Sequence, residues 1–172
     1  MRIMVEFCAE KLPVSSNFLF LSYIKEALMT SNYYYFKGLF YYGERHNKIT
    51  KSYTYAVIPR NFYVKKDELV FNNDSRVEFI LSTPDYEFVI NLYNGILRIE
   101  NFSYKDYRLK LKKIRVLKEK VINTEEVVFN ALSPICIKNK QGKYLDIKDP
   151  EFNRELNYVA NLILKNYRGY GL

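Results

Sequence analysis

The chain holds a single histidine, His46, and sets three cations close to it: Arg45, Lys48 and Lys51. An imidazole titrates near neutrality, which suits it to moving a proton. A nearby ammonium group can stabilise negative charge that develops on a phosphorus centre. Together these groups suffice to cleave RNA by transesterification, with the ribose 2′-hydroxyl as internal nucleophile and no metal required. The competing reading is an ordinary polar loop from Tyr41 to Lys51 whose histidine is incidental. On these residues alone the loop reading is the stronger.

Other chemistries find less support. Cys8 and Cys136 lie far apart, form no CxxC pair and have no histidine beside them. A zinc ribbon, a disulfide scaffold and a thiol nucleophile are all left without a pattern. Asp146, Asp149 and Glu151 cluster, but Asp149-Pro150-Glu151 reads as a helix cap with its acid favoured by the helix dipole. Neither GxxxxGK[ST] nor GxGxxG occurs, so nucleotide cradling has no motif behind it. No metal and no cofactor is expected.

A second candidate is electrostatic. Between Lys105 and Lys120 there are 8 basic side chains and 2 acidic ones, in a chain of net charge +8. Arg108, Lys110 and Lys112 alternate with Leu109 and Leu111, giving one cationic and one apolar face. Lys112-Lys113 breaks the period, and Arg115 then alternates with Ile114 and Val116. A bulge there would keep the apolar set inward. A strand rising about 3.3 Å per residue can track several successive phosphates. A merely solubilising face accounts for the same charges equally well. Upstream, the aromatic run Tyr33-Tyr34-Tyr35-Phe36 and Phe40-Tyr41-Tyr42 could stack unpaired bases, though most of it is expected to pack at a core edge with hydroxyls toward solvent.

The elements that must position these groups follow from hydrophobic period and caps. Ile3 to Phe7 alternates as a strand. After Pro13 and the capping cluster Ser15-Ser16-Asn17, the residues Phe20, Ile24, Ala27 and Leu28 share one helical face. Tyr53–Ile58, Glu68–Phe71 and Arg76–Leu81 read as strands. Thr83-Pro84-Asp85 opens a second helix whose buried face is Tyr86, Val89, Ile90 and Tyr93. Asn94-Gly95 stops it, with Gly in the left-handed position. Ile96–Glu100 and Tyr107–Val121 follow as strands. The order is β-α-β-β-α-β, a ferredoxin-like α+β unit over residues 1–123. Val127–Ile137 and a helix bearing Leu156, Val159, Ala160 and Ile163 look like the first strand and helix of a second, incomplete unit over 124–172.

With 48% hydrophobic residues, an unfolded tail is excluded. The uncharged stretch Leu12–Ile24 is short of the roughly 20 residues a bilayer span needs. Arg2, Glu6 and Glu10 break any signal-peptide pattern. A soluble cytoplasmic protein with no membrane partner is expected.

The residues also resemble a family, the CRISPR repeat-processing endoribonucleases of the Cas-six group in the RAMP superfamily. Met1-Arg2-Ile3, Leu12-Pro13, Lys51-Ser52-Tyr53-Thr54-Tyr55, Asn94-Gly95-Ile96-Leu97 and Ile114-Arg115-Val116-Leu117 carry the likeness in order, and above all Phe129-Asn130-Ala131-Leu132-Ser133-Pro134-Ile135 does. The segment from Pro150 to Tyr170 resembles the helix that follows. What the resemblance implies is cleavage within CRISPR repeat RNA, leaving a 2′,3′-cyclic phosphate and a 5′-hydroxyl. It assigns proton transfer to His46 and electrostatic stabilisation to Lys51, with the spacing between them slightly off the family pattern. Arg45, Lys48, Arg108, Lys110, Lys112, Lys113 and Arg115 would contact phosphates. The tyrosine that some members use on the first helix falls at Lys25 by ungapped count, and Tyr23 lies on nearly the opposite helical face, so that role is not carried over. Members continue through a complete second unit with a glycine-rich loop, which Gly169-Tyr170-Gly171 is not. The chain is therefore expected to be a shortened or degenerate member, or a half completed by a partner. Strand edges exposed by a missing half would favour a homodimer. A non-catalytic RNA-binding or scaffold role is the alternative.

Overall fold

The computed structural model describes residues 1–41, 51–119, 121–128, 130, 131 and 135–168, with backbone alone at 73, 74 and 166–168. It forms two compact units, Met1–Val121 and Ile122–Leu172.

In the first unit, β1 (Arg2–Cys8) sends Ile3, Val5 and Phe7 to the core and leaves Met4, Glu6 and Cys8 on the other face. It pairs antiparallel on one side with β4 (Glu68–Ser82) and on the other with β6 (Tyr107–Leu117). β3 (Thr54–Lys65) pairs with β4, and β5 (Asn101–Tyr104) pairs with β6 at the rim. A short β2 (Lys11–Pro13) caps one end of β4. Two helices, α1 (Asn17–Ser31) and α3 (Tyr86–Arg98), supply the other half of the core. Phe20 of α1 stacks on Phe79 of β4 at 5.2 Å and lies 6.0 Å from Phe7. The strand order β3-β4-β1-β6 with α1 and α3 is the ferredoxin-like arrangement expected from the β-α-β-β-α-β order.

Several elements differ from their expected form. Glu68–Phe71 and Arg76–Leu81 belong to one continuous strand, β4, and β3 pairs with both stretches, on either side of a register shift between Arg60 and Phe62. Ser16 occupies the first cap position of α1, but its side chain makes no capping bond. The N-cap of α3 is Asp85, not Thr83: its carboxylate accepts from the Phe88 amide at 2.9 Å. The buried face of α3 is Phe88, Val89, Leu92, Gly95 and Ile96, with Tyr86 and Ile90 turned outward. Gly95 does not end the helix. It lies where α3 crosses α1, and a Cβ there would fall 1.9 Å from the Ala27 carbonyl oxygen. The helix therefore continues to Arg98, and Ile96–Glu100 is no strand. The aromatic run that period analysis left unassigned is a further helix, α2 (Tyr33–Phe40), capped by Asn32, whose side chain accepts from the Tyr35 amide at 3.0 Å.

In the second unit, β7 (Ile137–Lys138) and β8 (Tyr144–Leu145) make a small hairpin. Asn139 accepts from the amides of Gln141 and Lys143, and Gly142 takes φ 81°, a left-handed value that glycine adopts at no steric cost. α4 (Phe152–Arg168) follows. Asp149 does not cap it: its carboxylate turns back to the Asp146 amide at 2.7 Å. The deepest side chains of α4 are Phe152 and Glu155, while Val159 and Ile163 stay exposed. Val127 and Val128 are exposed and outside regular structure, so among the described residues the expected strand is confined to Ile137–Lys138. Leu132, Ser133 and Pro134 lie outside the described residues, as does Phe129. No helix among the described residues is long and apolar enough to cross a membrane.

Candidate functional site

Lys51 is placed by α2 and by the start of α3. Its ammonium donates to the Leu39 carbonyl at the C-terminal end of α2 and stands 4.6 Å from the centroid of Phe40. A cation is favoured there by the negative end of the helix dipole and by the ring quadrupole. Phe40 is itself held against Phe36, the buried residue of α2, at 5.4 Å.

The backbone that delivers Lys51 is anchored through its next two residues. The Ser52 carbonyl accepts from the Thr83 hydroxyl at 2.7 Å, and Tyr53 stacks on Phe88 at 4.6 Å. Asp85 gathers the rest. One carboxylate oxygen caps α3, and the other accepts from the Tyr35 hydroxyl at 3.2 Å, with the Ser52 hydroxyl at 3.5 Å. One acid thus ties α2, the start of α3 and the residue after Lys51. Asp85→Ala is expected to lower stability by about 1–2 kcal/mol in a urea melt, with Asp85→Asn recovering most of the loss because asparagine also caps.

The remaining members of the predicted catalytic cluster, Arg45, His46 and Lys48, lie outside the described residues. The strand cations are all described. Register puts Lys113 opposite Glu6 and Leu111 opposite Phe7, so Lys112 is the extra residue of a bulge. The bulge keeps Leu109, Leu111 and Ile114 on the core side and leaves Arg108, Lys110, Lys112, Lys113 and Arg115 exposed. Lys110, Lys113 and Arg115 face outward beside Cys8, Glu6 and Met4.

That face carries two acids, Glu6 and Glu78, directly opposed across β1 and β4. Arg76 bridges both, at 3.3 Å and 2.7 Å, and Arg60 reaches Glu78 at 3.4 Å. The acids are neutralised there. Among the described residues no carboxylate pairs with Arg108, Lys110, Lys112 or Lys113, so the positive charge of β6 is left uncompensated. Farther along the sheet lies a cavity of about 830 Å³, lined in part by Cys8, Lys11, Asn72, Asn101, Arg108 and Lys110. Lys11 donates to Glu68 at 2.8 Å, which raises the lysine pKa and lowers that of the acid.

Tyr23 is fully buried, edge-on to Phe7 and Phe102 at 5.1 Å each. Burial holds its phenol far above the ordinary value, and its hydroxyl has no partner among the described residues. It cannot reach a substrate. Lys25, two residues on, is exposed and stands 5.3 Å from the same Phe40 ring that carries Lys51. Period analysis did not single out Lys25, Phe40 or Asp85 for this site. The i, i+3 and i+4 spacing of Tyr33, Phe36 and Phe40 with the Asn32 cap would have revealed α2. Among the described residues no cluster of three or more His, Cys, Asp or Glu is arranged to hold a metal ion.

Residues 117–171 match a family model described as CRISPR associated protein Cas6, C-terminal. No curated protein matches the sequence. Among solved structures, one described as the characterization of a Cas6-related gene from Pyrococcus furiosus superposes with a TM-score of 0.78 at 21% identity, covering 100% of this chain and 72% of that one. Another, described as a RAMP protein binding different RNA substrates, gives 0.78 at 21%, covering 99% and 73%. A third, described as CRISPR associated protein Cas6, gives 0.73 at 19%, covering 100% and 73%. At such identities the likeness is one of fold.

Proposed function

We propose that the chain is a member of the Cas6 family of CRISPR-associated proteins, that it binds CRISPR repeat RNA and that it cuts it without a metal ion. In the reaction a ribose 2′-oxygen bonds to the adjacent phosphorus and the bond from phosphorus to the 5′-oxygen breaks. The products are a 2′,3′-cyclic phosphate and a 5′-hydroxyl. His46 moves the proton, taking it from the 2′-hydroxyl or giving it to the leaving oxygen. Lys51 stabilises the charge that grows on the phosphate oxygens. Arg45 and Lys48 contact flanking phosphates, and residues 124–172 open a second ferredoxin-like unit.

The observation that carries this reading is the uncompensated row Arg108, Lys110, Lys112 and Lys113, all exposed on one strand whose apolar side is locked into the core. A polyanion is its natural complement. The similar structure described as a RAMP protein binding different RNA substrates makes RNA the class to test first.

Incubation of a repeat RNA with the chain in EDTA tests it. A cut with cyclic-phosphate ends is expected, lost when the nucleotide before the cut carries 2′-deoxyribose. His46→Ala should slow cleavage by about 10²–10⁴-fold while binding stays within a few-fold. Tight, salt-sensitive binding with no product would select a second reading, a non-catalytic RNA-binding member, which the RNA-binding relative also favours. No binding at low salt would remove both.

A further inference from the structure

The aromatic run over 33–41 divides into rings that pack and rings that do not. Phe36 is buried, Phe40 lies 5.4 Å from it, and the Tyr35 hydroxyl donates to Asp85. Tyr33 and Tyr34 stand outside, with ring centroids 6.2 Å apart. In a helix a side chain leans back over the preceding turn, so the residue at i+4 decides whether a ring is covered. The i+4 residue of Tyr33 is Lys37, whose ammonium stands 5.5 Å from the Tyr33 centroid. That of Tyr34 is Gly38, and a Cβ built there would have nothing within 4 Å. Tyr34 is accordingly 86% exposed. Gly38 has no positive φ and no neighbour pressing on it, so neither backbone nor packing requires glycine, a poor residue inside a helix. The open space at Gly38 adjoins an uncovered ring and follows a lysine that pairs with no carboxylate among the described residues.

We infer that Tyr34 stacks an unpaired RNA base in the space that Gly38 leaves open, while Lys37 holds a phosphate beside that base. The inference rests on the RNA-binding reading above and adds to it the form of the RNA, a single strand whose bases have free faces. Every base has such a face, so the contact sets the path of the strand and not its sequence. The chemistry of the surface selects this occupant. An exposed ring beside a cation suits a flat group joined to an anion, and α2 carries no acid that would repel one. Leu39, whose carbonyl holds Lys51, lies five residues from Tyr34, about 7.5 Å along the helix. The platform therefore sets the strand on the same helix that holds Lys51.

The test measures binding of the full chain to a non-cleavable 2′-deoxy repeat over a range of salt, with the RNA single-stranded and annealed to its complement. Tyr34→Ala should weaken binding to the single strand about 10-fold at every salt concentration. The slope of log K against log salt should stay unchanged, because a neutral ring releases no counterions. Tyr34→Phe should bind as wild type. Lys37→Gln should lower the slope by about 0.7, one phosphate contact on a single strand. Gly38→Leu covers the ring, so its urea midpoint should rise while its affinity falls as in Tyr34→Ala, a pair of shifts that a damaged fold does not produce. The chain has no tryptophan, so Tyr34→Trp supplies a sole indole whose emission a stacked base should quench. The losses in Tyr34→Ala and Gly38→Leu should vanish on the annealed RNA, whose bases are already stacked and paired. Wild-type affinity in Tyr34→Ala with unquenched emission in Tyr34→Trp would overturn the platform and leave RNA binding standing. An equal loss on single strand and duplex would overturn it as well. A wild type that binds no RNA overturns both readings.

Discussion

Gly95→Ala is expected to destabilise the first unit by about 3 kcal/mol or more, the upper end of what overpacking a core does. Replacing glycine by alanine within a helix ordinarily stabilises it by about 1 kcal/mol. Here the added methyl would meet backbone: the carbonyl oxygen of Ala27 at 1.9 Å, its carbon at 2.4 Å and its Cα at 2.9 Å. Backbone cannot rotate aside as a side chain does. α3 would have to move away from α1, opening the contacts of Phe88, Leu92 and Ile96, each of them 0% exposed. The steric term outweighs propensity. Gly38 supplies the control within the same protein, because it lies in α2 with nothing within 4 Å of a built Cβ. Gly38→Ala should stabilise by about 0.5–1 kcal/mol. Urea melts of the two variants should shift in opposite directions, and a Gly95→Ala midpoint at or above wild type would refute the close crossing.

The same residue shows what was legible in the sequence and what was not. The pair Asn94-Gly95 carries the local signature of a helix end, and local rules place the stop there. The glycine is required instead by Ala27, 68 positions earlier, whose backbone it must admit. A contact at that separation leaves no trace in a window of ten residues. The phase of α3 went astray for the same reason: Tyr86 and Ile90 are as apolar as Phe88 and Leu92, and the docking partner alone decides which pair turns inward. Where one period governs, the reading held. β1 alternates as its residues dictate, and so does β6 through Ile114, with the bulge at Lys112 where Lys112-Lys113 interrupts the alternation. Beyond it Val116, expected inward, is exposed, and the strand ends at Leu117, not Val121.

The candidate site was less legible than the fold. Lys51 stood out because of its neighbours in sequence, whereas the structure explains it through partners far away: Leu39 and Phe40 before it, and Asp85 after Ser52. Lys25 was met in the sequence only as the ungapped position of the first-helix tyrosine of the resembled family, a role not carried over to it. It enters through a shared aromatic ring, and ring sharing is a tertiary fact. The aromatic run concealed α2 because Tyr33, Tyr34 and Tyr35 offer no polar face to set a helical period, and their exposure differs only because Phe36 turns inward.

Neutralising Arg108, Lys110, Lys112, Lys113 and Arg115 together to glutamine should leave the fold standing and remove most of the affinity for repeat RNA. All five side chains are exposed, and the strand is held by Leu109, Leu111 and Ile114 on its other side and by the ladder to β1. Their substitution removes charge without opening a cavity, so a stability change of more than about 1 kcal/mol is not expected. Each phosphate neutralised on a single strand adds about 0.7 to the slope of log K against log salt. Five contacts therefore account for a slope of about 3.5, and because that term fades near 1 M salt, its loss at 0.1 M amounts to about 10³-fold in affinity. Removing Lys113 alone should change the slope less than removing Lys110. Glu6 lies opposite Lys113 in the register and shares its field, although Arg76 already holds that carboxylate at 3.3 Å. Arg76→Gln then becomes informative in the reverse sense. Freed from Arg76, Glu6 and Glu78 would expose two negative charges beside the strand, and affinity should fall even though Arg76 itself is committed to carboxylates. Filter-binding isotherms at several salt concentrations separate these cases. A five-fold variant that keeps wild-type affinity and slope would show that the cations of β6 do no more than solubilise the sheet.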